Sequence, residues 1–382
     1  MLSALAFGLP LAARRRLARP AGRRDGVNFA GFLSGSLGLG VSARCMARAL
    51  AEQGVPAAFL DVPAGEGRDT QAPGVPLASD APFATTVVHL NAPELRLFLA
   101  AHTPRALLGR RLVGVWYWEL EQLPAHWRAL SRLFDEVWFA AGWARDAFAS
   151  QLHCPALHAP FPLDQLARAP GAAAPVPLGL PASAFVFLNA FDFKSTFARK
   201  NPLAALDAYL RAFPTPTERH ALVLKSLHGD THAGLAALRA RAAGRRDVHL
   251  LDVDLPSEAM AALAERADCF VSLHRSEGLS LGVYEARARG KWALFTDFSG
   301  PTGLRREPGM LPVPFERVPV RSEHARYRRG FWAEPDVAFA AERMRELVER
   351  DVRRVAPGGS DASARFASFV RERLSADAAP RL

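Results

Sequence analysis

Cysteine is scarce in this sequence, which has only three cysteines among 382 residues. Cys45, Cys154 and Cys269 are far apart and form no C-x-x-C pair, which excludes a zinc or redox motif of that kind. Each lies in apolar sequence, so we expect reduced core residues.

Long apolar runs are also missing. No segment reaches the roughly 18–20 apolar residues of a membrane-spanning helix, which excludes an integral membrane protein.

Lysine is rare as well, because only four of the 48 basic residues are lysines and the rest are arginines. Where arginine is so strongly favoured, a retained lysine indicates a position that needs a compact ammonium group rather than a planar fork. All four are in the second half of the chain: Lys194, Lys200, Lys225 and Lys291.

The formal net charge of +10 is compatible with nucleic acid, an anionic membrane surface or an anionic small substrate as partner. No arginine-rich stretch has interleaved aromatic residues, so we expect no nucleic-acid partner. A hydrophobic content of 49% excludes a disordered chain, and the length predicts two domains.

The first 24 residues have the composition of a basic leader. Met1–Ala13 is apolar and is followed by Arg14, Arg15 and Arg16. A secretory signal has its charges before the apolar segment, so this order is wrong for secretion. It predicts a cytoplasmic protein with a peripheral contact at the inner membrane face. A wrongly assigned start codon is the alternative interpretation.

Alternating strand and helix patterns predict an α/β fold with two Rossmann-like, doubly wound domains facing a central cleft. In the first, Gly26–Phe32 has the pattern of a strand, Leu33–Gly40 of a glycine-rich turn and Ser42–Gln53 of a helix. Pro335–Leu374 is mostly amphipathic helix. The predicted organisation is a leader (1–24), an acceptor-binding domain (25–164), a Pro/Ala-rich linker (165–183), a donor-binding domain (184–345) and a C-terminal helical segment (346–382).

Two glutamates eight positions apart, Glu277 and Glu285, are the most informative feature. The first follows a predicted strand, and the second lies about one turn into the following helix. The free amides near Ser280 and Leu281 form an anion site at the helix N-terminus. Gly278 allows a ligand to approach the backbone closely.

This E-x7-E pattern resembles that of the retaining glycosyltransferases of the GT-B fold, in the family-4-like group. The resemblance covers most of the chain. Its N-terminal motifs are Gly26–Phe32, Gly38–Gly40, Tyr117–Leu120, Phe134–Trp138 and Pro160–Pro162, and its C-terminal motifs are Phe191–Phe193, Arg199–Pro202, Leu224–Ser226 and Ser272–Gly278. The sequence departs from the family at Leu279–Leu281, where a Gly-Leu-Gly segment is expected, and at Pro301–Gly303.

The resemblance implies roles for individual residues. Glu285 would hold the ribose hydroxyls of a nucleotide-sugar donor, Glu277 would contact the sugar, and the amides near Ser280 and Leu281 would bind the diphosphate. Lys200 matches the phosphate lysine of the family, with Arg199 or Lys194 as the second cation.

The residues themselves indicate the same chemistry, because a departing diphosphate needs fixed cations and helix amides. Lys194, Lys200, Arg199 and Lys225 can supply those cations without a metal. The alternative for each is a solvated surface cation. His274, in the same loop as Glu277, is expected to make an orienting hydrogen bond.

Asp252-Val-Asp254 spells the D-x-D by which another glycosyltransferase fold binds a metal and a diphosphate. It ends a predicted strand and precedes a Pro-Ser helix start. We therefore expect Asp252 and Asp254 to shape a loop near the donor base, and no metal or other cofactor.

The acceptor side is predicted from residues at strand ends in the first half. Gly38 and Gly40 are in the first strand-to-helix turn, Glu119 follows its strand, and His89 and Asn91 end another. His89 fits a satisfied loop histidine as well as a ligand. Five tryptophans fall in one short region, and most are expected in the core: Trp116, Trp118, Trp127, Trp138 and Trp143.

The sequence therefore predicts a metal-independent, retaining glycosyltransferase of polysaccharide biosynthesis. It would move a sugar from a nucleoside diphosphate to a hydroxyl of a glycan or lipid-linked acceptor. The first alternative is a nucleotide-sugar epimerase, which needs acid/base carboxylates or histidines near the sugar ring. The second is a non-catalytic glycan-binding protein.

Overall fold

Parallel strands alternate with helices throughout the computed structural model, which describes residues 24–65, 71–102, 109–168, 179–322, 327 and 329–375. The chain divides into two units, the first made of residues 1–165 and 361–382 and the second of residues 166–360. Residues 1–23 of the predicted leader and residues 169–178 of the predicted linker lie outside the described residues.

The first unit contains a six-stranded sheet in the order β2-β1-β3-β4-β5-β6, with every neighbouring pair parallel. Its strands are β1 (Arg24–Gly31), β2 (Ala57–Asp61), β3 (Phe83–His89), β4 (Arg111–Val115), β5 (Glu136–Phe139) and β6 (Ala156–His158). Its helices are α1 (Gly38–Glu52), α2 (Leu95–His102), α3 (Ala125–Leu130) and α4 (Gly142–Phe148), with one from the chain terminus described below.

The second unit contains another six-stranded parallel sheet, in the order β12-β11-β10-β7-β8-β9. Its strands are β7 (Phe185–Ala190), β8 (His220–Ser226), β9 (Val248–Asp252), β10 (Cys269–Ser272), β11 (Trp292–Thr296) and β12 (Met310–Val313). Its helices are α5 (Phe197–Lys200), α6 (Pro202–Ala212), α7 (Ala233–Arg241), α8 (Ser257–Arg266), α9 (Leu281–Ala288) and α10 (Val337–Arg350).

Apolar side chains cover both faces of the second sheet, which is why its central strands are nearly continuous apolar runs. One face carries Leu222 and Leu224 of β8 and packs on α6, α7 and α10. The other face carries Val186, Leu188 and Val223 and packs on α8. In a parallel sheet with helices on both faces, the loops at the carboxyl ends of the strands form the ligand-binding edge.

The predicted tryptophan core of the first unit is confirmed for four of the five residues. Trp116, Trp118, Trp127 and Trp138 are at most 2% exposed, and Trp143 is half-buried. Trp116 and Trp127 meet edge to face, with ring centroids 5.7 Å apart.

The three cysteines are free thiols, as expected. Cys45 and Cys269 are buried in the core, and Cys154 is partly buried.

The expectation of mostly helix over Pro335–Leu374 is confirmed, but the structure has two separate helices there. α10 ends at Arg350, because Asp351 adopts a left-handed conformation and a Pro-Gly-Gly segment follows. The next helix, α11 (Ala362–Ser375), belongs to the first unit, where Arg373 Nη2 contacts Glu136 Oε2 at 2.7 Å. The predicted boundary at 345/346 therefore falls inside α10.

One short element was not expected from the sequence, an antiparallel hairpin of β13 (Phe315–Pro319) and β14 (Phe331–Pro335).

Among the described residues, no helix has the length and apolar character needed to cross a membrane.

Candidate functional site

An ionic cluster lies at the carboxyl edge of the second sheet. Glu277 is in the loop after β10, and Arg199 and Lys200 end the short helix α5 that follows β7. Lys200 Nζ is 2.6 Å from Glu277 Oε1, and Arg199 Nη1 is 3.3 Å from the same oxygen. The fold therefore brings together residues that are almost 80 positions apart in sequence. Arg199 also contacts Ser276, 77 positions away.

Burial and charge oppose each other at Glu277. Its side chain is only 8% exposed, which disfavours the ionised form, but the ammonium of Lys200 and the guanidinium of Arg199 outweigh that cost. Together they lower the pKa of Glu277 to about 2. The carboxylate is ionised at neutral pH and cannot serve there as a general acid.

The two cations differ in what else they contact. Arg199 also donates to the carbonyl oxygens of Ser276 and Ser195, at 2.8 and 2.9 Å, so its buried guanidinium fixes the loop that carries Glu277. Lys200 keeps 23% of its side chain exposed. Lys200 is therefore the cation of this pair that a ligand can reach, whereas the contacts of Arg199 are within the protein.

The backbone around Glu277 is held by a second loop. Ser299 Oγ accepts from the Glu277 amide at 2.8 Å, and Gly300 donates to the Glu277 carbonyl at 2.9 Å. A side chain at Gly300 would come within 2.6 Å of the Gly278 backbone, so only glycine permits this approach. Ser299 itself has a φ of 62°, an unfavourable conformation for a non-glycine residue that the surrounding contacts maintain.

Helix α9 begins beside this loop. Ser280 precedes it in the left-handed conformation, with φ 72° and ψ 66°, and no side chain caps the helix. Ser280 is the middle residue of the Leu279–Leu281 segment, where the resemblance leads one to expect Gly-Leu-Gly, and its left-handed conformation is one that a non-glycine residue rarely adopts. The amides of Leu281 and Gly282 belong to the first turn, where backbone donors lack intrahelical partners.

Glu285 lies one turn into α9 and lines a pocket of about 170 Å³ between α8 and α9. Apolar walls around its carboxyl raise its pKa, and Arg289, whose Nε donates to Glu285 Oε1 at 2.9 Å, opposes that shift. The pocket is mainly apolar and has a charged rim. Its other lining residues are Leu188, Ala190, Met260, Ala264, Ala267, Phe270, Gly282, Ala286, Arg289 and Lys291.

Asp252, the last residue of β9, contacts the end of β8 and the loop that follows it. Its carboxylate accepts from Ser226 Oγ at 2.7 Å and from the Gly229 amide at 3.0 Å. These contacts fix the loop after β8, and a place for Asp252 near the donor base stays a prediction. Within the described ranges, no group of three or more His, Cys, Asp or Glu residues could hold a metal. Lys194 is exposed, two residues after Asp192.

In the first unit, three predicted acceptor-side residues occupy neighbouring strand ends. His89 ends β3 and is completely buried, and its Nε2 is 3.0 Å from Ser42 Oγ and 3.3 Å from the Tyr117 hydroxyl. The Ser42 and Tyr117 hydroxyls are 2.6 Å apart. Asn91 Oδ1 accepts from the Tyr117 amide at 2.7 Å, and Glu119 is half-buried two residues further on.

Ser42 and Tyr117 were not singled out from the sequence as site residues. The strand-end position of Tyr117, after β4, is the signal that could have identified it. Gly38 is exposed at the start of α1, whereas Gly40 is buried against the Gly35 carbonyl and leaves no room for a side chain. The glycines thus set the path of the turn that leads to Ser42.

The expected orienting hydrogen bond of His274 is not formed among the described residues, because both ring nitrogens are buried without a partner.

Two buried histidines predict an acid-sensitive fold. Burial lowers the pKa of both His89 and His274 to about 4 from an ordinary 6.5. Both stay neutral when folded, so their stabilisation is complete above pH 6.5 and is lost as the pH falls towards 4. Each contributes a slope of about 1.4 kcal/mol per pH unit in that window. Urea unfolding of the wild type and His274→Gln at several pH values tests this, because the variant should show a smaller slope; equal slopes would contradict it.

No protein-family model and no curated protein matches the sequence. Solved structures do match, at low identity. Sucrose-phosphate synthase from Thermosynechococcus elongatus has a TM-score of 0.59 and 13% identity, covering 93% of this chain and 97% of that one. HepE of Anabaena, solved with UDP and glucose, has a TM-score of 0.58 and 15% identity, covering 92% and 100%.

A third structure, the α,α-trehalose 6-phosphate synthase of Burkholderia multivorans, has a TM-score of 0.52 and 10% identity, covering 92% of this chain and 95% of that one. These likenesses span nearly the whole of each chain. With the two parallel six-stranded sheets, they confirm the predicted GT-B fold of two Rossmann-like domains.

Proposed function

We propose that this protein is a glycosyltransferase that moves a sugar from a nucleoside diphosphate to an acceptor hydroxyl with retention of anomeric configuration. The supporting observation is the cluster of Lys200, Arg199 and Glu277 beside the N-terminus of α9. A reachable ammonium and a set of first-turn amides are the groups that a departing diphosphate requires.

Each group has a role in the proposed reaction. Lys200 and the amides of Leu281 and Gly282 stabilise the negative charge that develops on the leaving diphosphate. Glu277 holds Lys200 in place and accepts from a hydroxyl of the donor sugar. A donor phosphate oxygen takes the proton of the acceptor hydroxyl on the face from which the leaving group departs. No metal and no protein base is then required.

The ionisation of the site favours this function over an epimerase. An epimerase needs an acid or base that titrates near neutral pH beside the sugar. The pKa of Glu277 is about 2 and that of His274 about 4, so neither exchanges protons efficiently at pH 7. A transferase that uses the phosphate of its substrate as the base tolerates such groups.

The acceptor we propose is a glycan or a lipid-linked sugar. The similar protein HepE was solved with UDP and glucose, and two other similar proteins are synthases of sugar phosphates. The Ser42, His89 and Tyr117 hydrogen-bonded group is the candidate contact for an acceptor hydroxyl. The net charge of +10 supports a cytoplasmic enzyme acting at an anionic membrane surface.

Thermal shift with UDP, GDP, CDP, ADP and TDP, in EDTA, tests the donor site. A ligand at 100 times its dissociation constant adds about 2.7 kcal/mol to the stability. We expect at least one nucleotide to raise the melting temperature of the wild type and of the control Glu218→Ala, an exposed glutamate of the same unit. Glu285→Ala should lose the shift. No shift with any nucleotide would contradict the proposed function.

A further inference from the structure

Lys225 is a buried cation at the end of β8. The residue is 4% exposed, and within the described ranges its ammonium has no hydrogen-bond or ion-pair partner. Burial lowers its pKa, although Asp254, Asp192 and Asp252 are near enough to oppose the shift. Among the described residues, Nζ is not one of the fully buried side-chain atoms that lack a partner, so a ligand can reach the ammonium.

The other buried or half-buried lysines of the unit have partners. Lys200 pairs with Glu277, and Lys291 donates to the Glu265 carbonyl and lies 3.7 Å from its carboxylate. Arg199, also buried, is engaged by Glu277 and two carbonyl groups. Lys225 thus has a donor capacity that a ligand can satisfy without competing with an existing ion pair.

Strand register places Lys225 next to the Glu285 pocket. It is paired with Ala190 of β7 and Leu251 of β9. Alternate residues of a strand share a face, so Lys225 is on the face of Val223, and Ala190 on the face of Leu188. That face packs on Leu251, Leu255 and Met260, and Ala190 and Met260 also line the pocket of Glu285.

The surroundings of Lys225 differ from those of the diphosphate site. Lys200, Glu277 and α9 follow β7 and β10, whereas Lys225 is on β8, one strand further from β10. Apolar side chains flank it, and the loop after β9 adds Val253, which is 46% exposed, and the exposed Asp254. A flat apolar ring that carries an oxygen acceptor fits this setting better than a phosphate.

We propose that Lys225 reads the nucleobase of the donor by donating a hydrogen bond to a ring carbonyl oxygen. This inference rests on the proposed function and adds a substrate class to it: donors with a 4-oxopyrimidine or 6-oxopurine base. An ammonium group only donates hydrogen bonds. The exocyclic amino group of cytosine or adenine also donates, so it would meet Lys225 donor to donor.

The test is titration calorimetry with UDP and CDP, and with GDP and ADP, two pairs that contrast an oxo with an amino group. For the wild type, we expect the tighter-binding oxo nucleotide to exceed its amino partner by at least about tenfold. Lys225→Met should weaken binding of that oxo nucleotide by about tenfold and leave the amino partner unchanged or tighter. Lys200→Met, the comparison variant, should weaken all four alike, because they share the diphosphate.

The opposite patterns would overturn the inference. If Lys225→Met weakens all four nucleotides equally, or weakens inorganic pyrophosphate, Lys225 contacts phosphate. If CDP or ADP binds the wild type as tightly as its partner, the base is not read by this ammonium. Both results leave the proposed function standing, whereas absence of binding by every nucleotide would contradict the function as well.

A purely structural role is tested separately. Because Lys225→Met removes a charge that partial burial disfavours and that has no partner among the described residues, we expect its melting temperature to equal or exceed that of the wild type. A clear decrease would show that the ammonium stabilises the fold, and would overturn a ligand-binding role.

Discussion

Replacement of Lys200 by methionine should lower the rate of sugar transfer by about 10²–10³-fold, the range found when one charge-stabilising donor is removed from an active site. The reason is electrostatic, since Lys200 is the reachable cation of the cluster and the leaving diphosphate gains charge as its bond to the sugar breaks. Methionine keeps the apolar stem and removes the ammonium. The measurement is initial rate of nucleoside diphosphate release at saturating donor and acceptor.

Two further variants make this result specific. Lys200→Arg keeps the charge but presents a planar fork in place of a compact ammonium, so we expect a smaller loss than for methionine. Arg241→Met removes an exposed cation of the same unit, paired with Asp207 at 2.6 Å, and should leave the rate unchanged. A Lys200→Met enzyme with wild-type activity would refute the role of the cluster.

Replacement of Glu277 by glutamine should destabilise the second unit by about 3–5 kcal/mol, the usual cost of removing one partner from a buried ion pair. Lys200 and Arg199 would then face each other across a neutral amide, with Arg199 almost fully buried. Glutamine preserves the size of the side chain, so the loss reports charge rather than packing. Differential scanning calorimetry at pH 7 measures it.

The dependence on pH distinguishes this charge effect from a general weakening. The pKa of Glu277 falls from an ordinary 4.5 to about 2 on folding, so its charge stabilises the protein fully above about pH 4.5. That contribution is lost as the pH falls towards 2. The gap in stability between the wild type and Glu277→Gln should therefore narrow below pH 4.5. A gap independent of pH would contradict the assignment.

The fold follows closely from sequence because its signals are local. Strands such as Phe185–Ala190 are apolar except for Asn189, as is typical of central parallel strands, and helices such as α6 begin at a proline in the first turn. The break at Asp351 was missed because an aspartate can continue a helix. Its left-handed conformation depends on the chain that follows, which leads to a helix of the other unit.

The candidate site was only partly predictable. The spacing of Glu277 and Glu285 and the scarcity of lysine identify its residues, yet neither shows that Arg199 is occupied by carbonyl groups while Lys225 lacks a partner among the described residues. Those distinctions arise from burial and from contacts between distant parts of the sequence, such as Arg199 with Ser276, 77 positions apart. The hydroxyls of Ser42 and Tyr117, 75 positions apart, became candidates only when the fold placed them together.

We propose that the region of Lys200 and α9 in the second unit binds the diphosphate of a nucleotide. The most direct measurement is titration calorimetry of the wild type with a nucleoside diphosphate, its monophosphate and the nucleoside. We predict at least about tenfold tighter binding of the diphosphate than of the monophosphate, and loss of that difference in Lys200→Met. Equal affinities for the diphosphate and the monophosphate in the wild type would contradict the account.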